Sequence, residues 1–317
     1  MAELYLIDGG FSSQLSKHVG EDNVTEKDNP LWCSAFLHSN RQAVIDTHRD
    51  YVRAGCDIVT TNTYQASVEG FVQHLGLSED QSVQLIRDAV KYVKEAIALE
   101  EKRDPAIASR HVRVAGSLGS YGAFLHDGSE YRGDYIDSTT PQELIDYHRP
   151  RIEALIQGGI DLLAIETLPA QEEAMVLAEL IKEYPGLKAW ISFSCKDEKH
   201  TCHGDKFGLI ARDVYAKNPA QLVAVGVNCL APHYVESLLT SAGRDVPLLC
   251  CPNSGETFDP GQRIWMNKDS VPSVDTYVPR WLDTGVKYVG GCCRTNADDM
   301  KKFRKIIDER ILTRLKQ

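Results

Sequence analysis

The sequence predicts an α/β protein, a (β/α)8 barrel of the TIM type. Short apolar runs alternate with long helical patterns through all 317 residues. The runs are continuously apolar rather than alternating, as in strands buried on both faces of a parallel sheet. Eight such βα units in this length close naturally into a barrel. An open doubly wound sheet is the competing solution. It requires a G-x-G-x-x-G turn after the first strand, and Asp8-Gly9-Gly10-Phe11 lacks that spacing.

Strands are expected at 4–10, 57–63, 112–119, 161–167, 188–195, 222–229, 247–253 and 287–293. The helix expected at 41–54 carries Val44, Ile45, His48, Tyr51 and Val52 on one face and stops at Gly55. The next, 80–102, carries Val83, Ile86, Val90, Val93 and Ile97. Thr140 and Pro141 mark the start of a helix over 141–157, as N-cap and first helical residue. A helix over 170–183 ends before Pro185-Gly186, and others are expected at 209–216, 233–241 and 271–284. The last, 297–315, repeats Met300, Phe303, Ile307 and Ile311. The long connections 11–40, 120–140, 196–207 and 254–270 follow strands one, three, five and seven. In a barrel they share the carboxyl face, where active sites are built. No repeat or linker interrupts the pattern, so one domain is expected over 1–317.

Composition narrows the function. The chain is 43% hydrophobic and 25% charged, with net charge −10. No long basic cluster is present, which argues against nucleic acid and membrane-surface partners and for small-molecule substrates. No apolar run approaches a membrane span, and the N-terminus has no secretory pattern. Nine cysteines, an odd number, fit a reducing, cytoplasmic setting rather than a disulfide framework. No long dimerisation arm stands out, so a monomer is expected.

Three cysteines carry the chemistry. Cys229 closes the run Val223-Ala224-Val225-Gly226-Val227-Asn228, and Cys292-Cys293 close Tyr288-Val289-Gly290-Gly291. Thiolates from two strand ends suit Zn2+ with its fourth position open, the layout of a catalytic site. Cys250 and Cys251 end strand seven and remain rival ligands, while Cys33, Cys56, Cys195 and Cys202 read as packing. Asp8 and Glu166 end strands one and four, as an acid–base pair or as a clamp for a substrate ammonium. Trp32, Tyr64 and Tyr121 are candidates to face a cation, and His203 reads as surface.

Together the landmarks make a pattern: Asp8-Gly9-Gly10-Phe11, Thr60-Thr61-Asn62-Thr63-Tyr64-Gln65, Glu166-Thr167, Gly226-Val227-Asn228-Cys229, Pro252-Asn253-Ser254-Gly255-Glu256 and Gly290-Gly291-Cys292-Cys293-Arg294-Thr295. Over nearly its whole length the chain resembles the zinc-dependent homocysteine S-methyltransferases. It looks most like the short branch that uses S-methylmethionine or S-adenosylmethionine. The resemblance implies Cys229, Cys292 and Cys293 as zinc ligands and Asp8 with Glu166 on the homocysteine amino group. It places the turn amides of Gly9, Gly10 and Phe11 near the carboxylate, and makes Asn253 a substrate contact or a fourth zinc ligand. The expected reaction is methyl transfer from a sulfonium donor to homocysteine, giving methionine. Two other functions are weighed: a thiol-based redox or metal-binding regulator using the vicinal cysteines, and a glycosidase using the carboxylates.

Overall fold

The computed structural model describes residues 4–24, 29–259, 264–268 and 270–315. Its strands are β1 Tyr5–Leu6, β2 Ile58–Thr60, β3 Arg113–Gly119, β4 Leu162–Leu168, β5 Ala189–Phe193, β6 Leu222–Asn228, β7 Leu248–Cys251, β8 Thr257–Asp259, β9 Ile264–Met266 and β10 Tyr288–Val289. Strands β8 and β9 pair as a separate two-stranded antiparallel sheet. The other eight form one parallel sheet in the order β1-β10-β7-β6-β5-β4-β3-β2. The ring closes between β1 and β2. Ile7 bridges Ile58 in parallel, the Asp57 N–H donates to the Leu6 carbonyl at 2.8 Å, and the Asp8 N–H donates to that of Ile58 at 3.1 Å.

All eight expected strands are present, most of them shorter than their apolar runs. The chain leaves the ladder early at the carboxyl ends because those residues bend toward the mouth. Thr167 near the end of β4, Cys229 directly after β6 and Arg294 in the turn beyond β10 adopt left-handed φ values of 63°, 53° and 65°, a conformation that residues other than glycine rarely adopt.

Two apolar layers result. Ile7, Ile58, Ala164, Trp190, Leu249 and Tyr288 belong to one cluster drawn from strands all round the ring. Alternation along each strand makes this the barrel interior. The larger cluster joins the opposite strand faces to the helices, as with Val225 and Val289 against Val235 and Phe303. Glycine at 226 is required by strand packing, since a Cβ there would collide with the Leu249 carbonyl on β7.

The helices Arg41–Arg53, Glu79–Arg103, Pro141–Gly158 and Ala297–Leu315 match expectation closely. The expected 271–284 is a 3-10 turn, Val274–Tyr277, followed by the helix Val278–Asp283. Besides the four-residue helices Glu21–Val24 and Phe36–Ser39, helices lie at Phe11–Val19, Val68–Leu75 and Tyr121–Leu125, where no helix was expected. Phe11–Val19 has Gly10 as N-cap with no side-chain cap, and Val68–Leu75 and Tyr121–Leu125 run to one or two turns, too short for a clear period. Within the expected connections 11–40 and 254–270, residues 25–28, 260–263 and 269 lie outside the described residues, as do 1–3 and 316–317 of the expected domain. Among the described residues no helix is long and apolar enough to cross a membrane.

Candidate active site

The three cysteines converge at the carboxyl-end mouth, although 63 residues separate Cys229 from Cys292. Backbone bonds between neighbouring loops set their positions. The Cys229 N–H donates to Cys251 O at 3.1 Å, the Cys292 N–H to Pro252 O at 2.8 Å, and the Ser254 N–H to Cys293 O at 3.1 Å. Asn253 turns its amide oxygen to the Cys293 N–H at 3.1 Å, so it braces the cysteine turn from behind. Thr295 Oγ1 donates to Cys292 O at 2.7 Å and accepts from the Gly10 N–H at 3.1 Å, tying that turn to the first one.

The sulfurs of Cys229, Cys292 and Cys293 lie within 4.8 Å of one another, with Cys229 and Cys293 at 3.9 Å. Thiolates at ~2.3 Å from a tetrahedral zinc stand about 3.8 Å apart, so that spacing suits the ion. The Cys229 and Cys292 sulfurs approach more closely still. Ligation by all three requires the reduced form. Burial pushes the Cys293 thiol up to about 11. Left to itself it stays protonated at neutral pH, which suits a ligand ionised by a cation better than a free nucleophile.

The rival cysteines separate by strand alternation. Cys250 points outward into the helix-facing core, and Cys251 points into the barrel and lines the cleft. Neither belongs to the three-sulfur cluster. Cys33, read as packing, lines the mouth instead.

The carboxylates stand on the same cleft. Asp8 accepts from the Thr60 N–H at 2.8 Å and from Thr60 Oγ1 at 3.1 Å, while Glu166 accepts from Ser117 Oγ. Burial raises Asp8 well above the usual carboxylate range, with the Thr60 bonds opposing and the nearby Glu166 charge adding to the rise. Burial pushes Glu166 up to about 7, with Ser117 pulling the other way. Two carboxyls so placed are poorly satisfied alone and suit a cationic group between them. Gly9, Gly10 and Phe11 line the cleft beside them, where the helix Phe11–Val19 begins. A helix N-terminus favours an anion there, but the Gly10 N–H is committed to Thr295.

Trp32 and Tyr64 line the cleft, whereas Tyr121 does not: it packs against Phe124, Tyr135 and Tyr147. His203 is half-buried and lies with Glu172 and Asp205 away from the mouth cysteines. Several supporting residues escaped the sequence reading. Thr60, Ser117, Tyr131 and Asn228 all reach the cleft. Arg151, 1% exposed, donates to the carbonyls of Ala66, Gly119 and Tyr64 at 2.8, 3.0 and 2.9 Å, fixing the loops after β2 and β3. Thr60 and Asn228 stood in the landmark runs and Ser117 in an expected strand, but sequence reasoning assigned none of the three side chains a role in the site. Arg151 sits in a helical pattern, and its distant carbonyl partners leave no local signal.

A parallel barrel with thiols and carboxylates gathered at its carboxyl mouth defines the class: a barrel enzyme for a small substrate. The chain belongs to the homocysteine S-methyltransferase family, which it matches over residues 5–307. It is 42% identical over 315 residues to a betaine-homocysteine S-methyltransferase of Drosophila melanogaster, covering 95% of this chain and 93% of the relative. It is 37% identical to homocysteine S-methyltransferase 2 of Zea mays, covering 96% and 90%. The homocysteine methyltransferase MmuM of Escherichia coli superposes with TM-score 0.82 in its metallated form, at 35% identity and 96% coverage of both chains. Its oxidised form gives the same TM-score, 0.82. One relative of this chain thus has a metal-bearing state.

Proposed function

We propose that this methyltransferase moves a methyl group from a sulfonium donor, S-methylmethionine or S-adenosylmethionine, to the thiol of homocysteine, with zinc as its metal. The convergence of Cys229, Cys292 and Cys293 beside Asp8 and Glu166 carries this reading. A zinc ion held by those three thiolates would keep one position for the substrate sulfur and favour its thiolate at neutral pH.

The chain's own residues then act as follows. Asp8 and Glu166 take the homocysteine ammonium, and the turn at Gly9 and Phe11 receives its carboxylate, with the Gly10 N–H held by Thr295. Those contacts direct the thiol at the cysteine cluster. Asn253 holds Cys293 in place rather than touching substrate. Trp32, Tyr64 and Tyr131 present aromatic faces to the donor's positive charge. The thiolate sulfur attacks the donor methyl carbon in line. A new carbon–sulfur bond forms as the old one breaks, and the donor leaves as a neutral thioether. Alignment of two reactants supplies much of the acceleration. No protein base is needed once the thiol proton has been displaced on binding.

The redox reading predicts pairing of the vicinal cysteines. In the structure the three mouth sulfurs crowd one point rather than forming a vicinal pair, and Cys250 and Cys251 are free thiols. The cluster works in transfer only as thiols, and a reducing, cytoplasmic setting is proposed to match. A monomer is proposed. The test is methionine formation by the reduced, zinc-loaded protein from homocysteine with each of S-methylmethionine, S-adenosylmethionine and betaine. Activity with a sulfonium donor is expected. Transfer from betaine alone sinks the donor assignment.

A further inference from the structure

A buried acid next to the cleft wall has no part in the reaction above. Glu130 sits in the 3-10 turn Ser129–Tyr131, directly before Tyr131 of the cleft wall. It is 3% exposed, and its Oε2 is buried without a hydrogen-bond partner. The turn is anchored on both sides: Ser194 Oγ donates to Glu130 O at 2.8 Å, and Ser129 Oγ donates to Gly122 O at 3.3 Å. The carboxyl therefore cannot easily swing out to water.

Its nearest cation in sequence is engaged elsewhere. Arg132 is half-exposed and binds Asp134 at 3.0 Å and the Asp127 carbonyl at 2.9 Å. Asp127 and Arg132 act on the Glu130 charge with opposite signs, and on the cleft side Tyr64, Tyr131 and Cys293 feel it. Burial pushes the Glu130 carboxyl up to about 7. An isolated buried carboxylate is costly, and a cation brought nearby repays that cost. Homocysteine has its own pair of acids in Asp8 and Glu166. The reactant left without a counter-charge is the donor, whose onium centre is positive whether it is sulfur or nitrogen.

We propose that Glu130 makes the donor side of the cleft select positive charge, acting from behind the Tyr64–Tyr131 wall as a specificity-determining residue. It needs no direct contact with the donor. In a low-dielectric wall a charge several ångströms away still favours a cation over a neutral molecule of the same shape. This inference rests on the methyl-transfer reading above.

The test uses shape-matched pairs. Homoleucine replaces the sulfonium of S-methylmethionine with carbon, and tert-butylacetate does the same for the nitrogen of betaine. With homocysteine saturating, the KM of the donor is compared with the inhibition constant of its neutral twin, for wild type, Glu130→Gln and Glu130→Asp. The wild type is expected to favour the cation, and Glu130→Gln to shrink that preference by ~10-fold or more. Glu130→Asp keeps the charge and is expected to retain most of the preference. That arm and the wild-type ratio decide the matter if Glu130→Gln does not fold. Equal weakening of cation and twin in Glu130→Gln shows a structural role only and overturns the proposal. So does a wild type indifferent to charge. If S-methylmethionine is not used, the betaine pair gives the same ratio. Absence of transfer from every onium donor refutes the underlying reading instead, and intact transfer with an unchanged ratio refutes this inference alone.

Discussion

Asn228 and Thr167 bind each other twice across the barrel mouth. The Thr167 N–H donates to Asn228 Oδ1 at 2.8 Å, and Asn228 Nδ2 donates to Thr167 Oγ1 at 2.7 Å. Ser192 Oγ adds a third bond to the same Oδ1 at 2.8 Å. Thr167 follows Glu166 and Asn228 precedes Cys229, and both Thr167 and Cys229 hold left-handed backbone. One amide thus links the acid of β4 to the sulfur of β6. It fixes the distance between the place for an amino group and the place for a thiol.

Asn228→Ala leaves the Thr167 N–H and the Ser192 hydroxyl buried and short of a partner. A loss of about 2–3 kcal/mol is expected in denaturant unfolding. The KM for homocysteine should rise ~10-fold, because its two ends are no longer held in register. A variant with lowered stability and unchanged KM would mean that the link supports the fold alone.

Glu166 adds a pH signature. Its carboxyl is raised by burial to about 7 in the fold against 4.5 for the free group. The folded state binds that proton more tightly than the unfolded chain. The associated stability is full below about 4.5 and is lost as the pH rises through 7. Glu166→Gln escapes the loss, so its Tm advantage over wild type should grow from pH 5 to pH 8, by roughly 2–4 °C. The same change removes a charge proposed to hold the ammonium. kcat/KM for homocysteine should fall ~10-fold or more in the variant, and in wild type it should decline as the pH drops below 7. A variant no more stable at pH 8 than at pH 5, relative to wild type, contradicts the burial argument.

Much of this site was legible in the sequence because barrel chemistry sits at strand ends. Asp8, Glu166, Cys229 and Cys292-Cys293 each closed a recognisable apolar run, so finding the strands found the residues. What escaped depends on contacts between distant segments. Arg151 looked like any helical arginine until its three carbonyl partners from other loops were in place. The helix Phe11–Val19 lacks a capping side chain and has only Phe11, Leu15 and Val19 as apolar residues, so it read as loop although its start lines the cleft. Cys250 and Cys251 were indistinguishable in sequence, and only the pleat of β7 turns one outward and the other into the barrel.

Asn253 tests the turn that carries Cys293. Its amide oxygen accepts the Cys293 N–H at 3.1 Å, so Asn253→Ala should weaken zinc retention by ~10–100-fold in a chelator competition. The KM for homocysteine measured at saturating zinc should change much less. The reverse pattern, a raised KM with normal zinc affinity, would make Asn253 a substrate contact.

Single Cys→Ser changes at Cys229, Cys292 and Cys293 should each lower bound zinc and methyl transfer together, by more than ~100-fold in metal affinity. Cys250→Ser and Cys251→Ser should leave zinc stoichiometry intact. Loss of zinc from either of the latter two, with retention in the first three, would reassign the ligands to β7.

The most direct measurement is zinc K-edge X-ray absorption on the reduced, zinc-loaded protein, before and after homocysteine is added. Three sulfurs at ~2.3 Å and one lighter atom are predicted without substrate, and four sulfurs with it. A sulfur count that stays the same when homocysteine binds, or a reduced protein that holds no zinc with its three mouth cysteines intact, would contradict the account.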